Sequence, residues 1–151
     1  MTLCIVCRDT RILLGMKKRG FGEGKWNGFG GKTNPGETVK EAAARELREE
    51  ANVEAVRMTE VGVLDFVYAE DPDIHEVHIY RVDEYRGEPC ETEEMKPEWF
   101  DLDKIPFEKM WPDDEFWLAK LLENEKFTGR FVFDEKGNIL EKELASVEDL
   151  H

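Results

Sequence analysis

Glu46, Glu49 and Glu50 stand close together in the run Arg45-Glu46-Leu47-Arg48-Glu49-Glu50. On a helix, at about 100° per residue, Glu49 lies roughly 60° to one side of Glu46 and Glu50 roughly 40° to the other. Like charges at i,i+4 cost an isolated helix a few tenths of a kcal/mol. Three on one sector, with Glu37 just upstream, call for a compensating cation. Oxygen-only ligands suit Mg²⁺ or Mn²⁺ better than zinc. A bland alternative gives the same residues: a solvated acidic helix face with Arg45 and Glu49 as an ordinary i,i+4 pair.

These carboxylates need a helix to carry them and a loop to bring a ligand near. Thr38 to Val53 supplies the helix, opened by the capping-box pattern Thr38-Val39-Lys40-Glu41. Ala43, Leu47 and Ala51 form a stripe beside the acidic sector, small enough to seat the helix close on a sheet. Upstream, Lys17 to Gly31 is a loop holding Gly20, Gly22, Gly24, Gly28, Gly30 and Gly31, where backbone amides can approach an anionic ligand. Strands are expected at Thr2–Cys7, Ile12–Met16, Met58–Tyr68, His75–Tyr85 and Pro97–Asp101, with a closing hairpin of Phe127–Phe133 and Ile139–Leu144. A second helix is expected from about Glu115 to Asn124, with Asp113 placed to cap it.

Composition bounds the ligand. The chain has 151 residues and a net charge of −14, which argues against nucleic-acid polymers. The charge is uneven: residues 1–32 hold seven Lys/Arg against two acids, net +5, leaving −19 elsewhere. A basic segment beside a carboxylate–metal site suits a small polyphosphate bound as a metal complex. No stretch has the length and apolarity of a membrane span, and Arg8, Asp9 and Arg11 interrupt the apolar start that a signal peptide would keep continuous. Of the three cysteines, Cys4 and Cys7 would face opposite sides of a strand and Cys90 stands apart. A reduced, cytoplasmic setting and no zinc site are therefore expected. His78 reads as structural, having no metal-ligand partner at helical spacing.

Gly31, five residues, Glu37, seven residues, then Arg45-Glu46-Leu47-Arg48-Glu49-Glu50 resembles the Nudix box almost position for position. One departure is Asn52 where the family has glycine, a residue that also tolerates the left-handed turn of a helix end. Leu13–Gly22, Trp26–Lys32 and Met110–Asp114 are similar to the MutT-homologue branch of that family. The resemblance implies a single Nudix domain over residues 1–151, an α/β/α sandwich with a mixed sheet. It implies Mg²⁺-dependent (or Mn²⁺-dependent) hydrolysis of oxidised purine nucleoside triphosphates, such as 8-oxo-dGTP and 2-oxo-dATP, to monophosphate and pyrophosphate. Another nucleotide substrate, or a silent nucleotide-binding protein, are the alternatives.

The resemblance further implies Glu46, Glu49 and Glu50 as catalytic and metal-binding, with Gly30 and Glu94 completing the metal shell. Glu50 is the first choice to orient or deprotonate the attacking water. Trp111 would stack on the purine beside Phe66, while Asn27, Asp113 and Asp114 read its edge. An amide can donate and accept, a carboxylate accepts, and one acid of an adjacent buried pair can hold a proton and donate. Thr2, Lys17, Phe29, Gly30, Gly31, Lys32 and Pro112 complete the expected substrate contacts. His75 stands where similar members carry a pocket methionine, which would make the pocket more polar. A monomer with no membrane or nucleic-acid partner is expected.

Overall fold

The computed structural model describes residues Met1–His151. Eight strands form one mixed sheet: β1 Thr2–Arg8, β2 Arg11–Lys17, β3 Trp26–Asn27, β4 Glu54–Val67, β5 Ile74–Arg86, β6 Met95–Asp101, β7 Lys126–Phe133 and β8 Ile139–Val147. The path runs β3-β2-β1-β5-β4-β7-β8, with β6 on the other edge of β2. Two pairings are parallel, β1 with β5 and β4 with β7; the others are antiparallel.

Two helices cover the sheet, α1 Val39–Ala51 and α2 Asp114–Leu122. The expected helix and sheet elements are present, with ends shifted by a few residues. β3 was not expected: Trp26 and Asn27 pair with Met16 and Gly15 inside the glycine-rich loop. The alternation of β1 divides the core. Cys4 and Val6 point into the layer that holds Ala43, Leu47 and Ala51 of α1. Ile5 and Cys7 point into the layer that holds Trp117, Leu118 and Leu121 of α2. The two cysteines thus lie on opposite faces, as strand periodicity requires. Leu47 is fully buried, worth about 1.5–3 kcal/mol relative to exposure.

Both ends of α1 follow from its sequence. Thr38 accepts from the Glu41 backbone N–H, Glu41 answers on the Thr38 N–H, and Asn52 closes the helix at φ 59°. Asp113 departs from its expected role. Its side chain makes no cap bond to α2; instead Oδ2 accepts from Trp117 Nε1 at 2.8 Å, deep in the protein. Burial beside the indole N–H diverts the carboxylate from the helix end.

β2 pairs with β1 only near the hairpin, through Val6, Cys7 and Arg8. Beyond that point residues 28–31 take its place beside β1. Cys4 and Phe29 exchange backbone hydrogen bonds, and the Thr2 N–H donates to the Gly31 carbonyl at 2.9 Å. This substitution brings the glycine loop against the helix that bears the glutamates.

Candidate active site

Gly30 lies so close to β1 that a Cβ would fall on the Thr2 carbonyl oxygen. A Cβ on Gly31 would stand 2.8 Å from the Glu46 carboxylate. Glycine is required at both positions by close approach of the chains. Their closeness lets the Gly30 N–H donate to Glu50 Oε1 at 2.8 Å, fixing that carboxylate on the backbone.

Arg45 orders the rest of the acidic sector. Its Nε and Nη2 grip both oxygens of Glu37, at 2.7 and 3.1 Å. Nη1 donates to Glu46 at 2.8 Å and Glu49 at 3.1 Å, and Nη2 also reaches the Lys32 carbonyl at 3.0 Å. The i,i+4 pair with Glu49 is real, but it is one spoke of a network that ties loop to helix. A planar fork with five donors suits this work; a lysine would not replace it.

Glu50 is half-buried, like Glu46, whereas Glu49 is exposed. Burial raises the Glu50 pKa to about 7; the Gly30 N–H and Lys17 oppose the rise, while Glu46 and Glu94 add to it. Glu94 itself is exposed and held by Arg19, at 3.0 Å from Nε and 2.5 Å from Nη2. No three His, Cys, Asp or Glu side chains converge on one point that could hold an ion. The donor chemistry nevertheless fits a hard divalent cation. All donors are oxygens, and Glu50 is a desolvated carboxylate whose acidic neighbours leave it short of positive charge.

A cavity of about 500 Å³ opens from this point. Gly30, Gly31, Glu50, Lys17 and Thr2 line it, together with Asn27, Phe66, Trp111, Asp113 and Asp114. Elements far apart in sequence thus meet in one space. Several expected residues stay outside it. Phe29 is fully buried in the core, its ring against Gly15 and its backbone paired with Cys4. Bulk and apolarity send this side chain inward. Lys32 is exposed and Pro112 half-buried, and neither borders the cavity; nor do Glu46, Glu49 or Glu94. His78 also lies away from it, bridging Glu60 at 2.7 Å and Glu76 at 2.8 Å.

Asp113 and Asp114 are almost wholly buried, at 3% and 2% exposure. Burial raises both pKa values. Trp117 restrains Asp113, whereas the Asp113 charge pushes Asp114 further up. Asp114 is thus the acid pushed up further, and its Oδ2 has no partner in the protein.

Some wall residues were not expected. Phe21 stacks on Trp111 with centroids 5.1 Å apart, and Trp117 lies beneath. Tyr68 stands just past the end of β4, two residues after Phe66, an alternate spacing that could have found it. Asp71 has no such signal; it arrives through the turn between β4 and β5. His75, an expected pocket residue, is opposite Phe66 in the sheet and borders the cavity.

A family model, the NUDIX domain, matches residues 2–121. The chain belongs to the Nudix family. Members of that family generally need a divalent metal. The Nudix chain is 49% identical over 150 residues to the oxidized purine nucleoside triphosphate hydrolase of Danio rerio, covering 99% of this chain and 96% of that one. It is 47% identical over 147 residues to the Mus musculus protein of the same name, covering 97% and 94%. Among solved structures, a MutT protein from Bacillus halodurans matches with a TM-score of 0.83 and 26% identity over 95% of each chain. The mixed sheet between two helices is thus the Nudix fold. No helix is long and apolar enough to cross a membrane.

Proposed function

We propose that this chain hydrolyses oxidised purine nucleoside triphosphates, such as 8-oxo-dGTP and 2-oxo-dATP, to the monophosphate and pyrophosphate. One observation carries the reading: a single cavity joins the Nudix carboxylate Glu50 to Trp111 and a buried pair of acids. The two oxidized purine nucleoside triphosphate hydrolases, from fish and mouse, support the substrate class at near-full coverage.

In this reading Glu46, Glu49, Glu50, Glu94 and the Gly30 carbonyl hold Mg²⁺, or Mn²⁺ in its place. The cation supplies neutralisation of phosphate charge during phosphoryl transfer. Glu50, anchored by the Gly30 N–H, orients or deprotonates the attacking water. Arg45 keeps Glu46 and Glu49 facing the loop. Lys17 meets a phosphate, and the Gly30–Gly31 backbone lets the chain approach it closely. Trp111 and Phe66 pack on the purine, while Asn27, Asp113 and Asp114 read its edge. When the pair shares one proton, the protonated acid donates and the ionised one accepts, so a base presenting a carbonyl beside an N–H satisfies both. The protein acts as one domain over residues 1–151, as a monomer in the cytoplasm, with free nucleotides as ligands.

The test is pyrophosphate release in Mg²⁺ from a panel of oxidised and unmodified purine triphosphates, a dinucleoside polyphosphate and a nucleotide sugar. Turnover concentrated on the oxidised purines supports the reading. Turnover concentrated on another group, or none on any, refutes it.

A further inference from the structure

The cavity has a second polar wall, separate from Asp113 and Asp114. Tyr68 follows directly on β4, with its ring stacked on Phe133 at 5.4 Å and edge-on to His75 at 5.6 Å. Tyr68 borders the cavity, and its hydroxyl has no hydrogen-bond partner in the protein. Burial, then Asp113, Asp114 and Asp71, push that phenol up to about 12, so it keeps its proton.

His75 is oriented with equal care. Asp71 Oδ1 accepts from the Asp73 N–H at 2.9 Å, and Oδ2 sits 2.6 Å from His75 Nε2. The imidazole bond, then the Asp73 N–H, hold Asp71 below the usual carboxylate range. An ionised carboxylate accepts only, so Nε2 donates its hydrogen to Asp71, and the tautomer this contact selects carries its lone pair on Nδ1. Nδ1 has no partner in the protein. The wall therefore offers a fixed acceptor and, beside it, a hydroxyl able to donate.

Oxidation at C8 of a purine creates the complement. Unmodified guanine presents N7 as an acceptor. The 8-oxo form presents N7–H as a donor next to the C8 carbonyl, an acceptor. We propose that Tyr68 and His75 form a second reader specific for the oxidised edge, His75 Nδ1 accepting from N7–H and the Tyr68 hydroxyl donating to the C8 oxygen. Asp71 is then a positioning residue, acting through the imidazole. The proposal rests on the purine triphosphate reading and adds the atoms by which C8 oxidation is sensed. A site built to pair with a donor rejects the analogue that lacks it, since its own polar atoms are otherwise left unpaired.

The test compares kcat/KM for 8-oxo-dGTP, dGTP, 2-oxo-dATP and dATP in the wild type, Tyr68→Phe and His75→Met, with Tm checking the fold. Each substitution is expected to lower the 8-oxo-dGTP to dGTP ratio at least ~10-fold, mainly through KM. The 2-oxo-dATP to dATP ratio should hold, because that base is unmodified at N7 and C8. Tyr68→Phe removes one oxygen and carries the test if His75→Met fails to fold. An unchanged 8-oxo ratio, or an equal fall on all four nucleotides, overturns this inference and leaves the hydrolase reading standing. A wild type inactive on all four overturns both.

Discussion

Replacing Asp114 by asparagine separates two effects of the buried acid pair. Asp114 is 2% exposed, its Oδ2 has no partner, and burial, then the neighbouring Asp113 charge, raise its pKa. Asparagine occupies nearly the same volume but cannot ionise or share a proton. A hydrogen bond involving a charged group is worth about 1.5–3 kcal/mol, so loss of the shared-proton arrangement should cost ~10- to 150-fold in selectivity. The assay is kcat/KM for 8-oxo-dGTP, 2-oxo-dATP and dGTP in both proteins. Stability gives a second readout. The folded-state pKa values of both acids are raised above the unfolded 3.8. The pair's contribution to stability is therefore full below about pH 3.8 and is lost as pH rises through the folded values. In Asp114→Asn that loss should shrink, so the fall in stability from acidic to alkaline pH becomes shallower in denaturant titrations. Unchanged selectivity together with an unchanged pH slope would refute the shared-proton account.

Glu50→Gln should keep the fold and lose at least ~10²-fold in turnover, measured as kcat with metal in excess; near-normal kcat would defeat its assignment to the water. Gly30→Ala drives a methyl group into the Thr2 carbonyl. It should destabilise by roughly 3 kcal/mol or more, read as a fall in Tm, because the obstacle is backbone rather than a flexible side chain. Removing divalent metal with a chelator should abolish turnover, with Mg²⁺ restoring it; turnover that persists would argue against the carboxylate–metal reading. Asn52→Gly should leave kcat unchanged and alter stability by less than about 1 kcal/mol, since it relieves a positive φ but gives up the bond to the Glu88 carbonyl.

What the sequence revealed depended on how local each cause was. The Thr38–Glu41 box, the Asn52 turn and the Ala43–Leu47–Ala51 stripe are short-range patterns, and the structure reproduces them. The Arg45 network was half visible. Its spacing to Glu49 is helical, but the grip on Glu37 and Lys32 requires the loop to fold back. Phe29 lies outside the cavity although its motif neighbours Gly28 and Gly30 border it, because its ring obeys hydrophobic burial. Asp113 looked like a helix cap until Trp117 offered an indole N–H in the interior. Asp71 was legible only after β4 and β5 had been paired, since register and a turn bring it to His75.

The central claim is that Glu50 and the downstream Trp111–Asp114 segment serve one substrate, an oxidised purine triphosphate. Its most direct test is kcat/KM for 8-oxo-dGTP against dGTP in Mg²⁺, with pyrophosphate identified as product. A clear preference for 8-oxo-dGTP, with 2-oxo-dATP likewise ahead of dATP, is the expected result. Equal values for oxidised and unmodified bases, or release of orthophosphate instead, would contradict it.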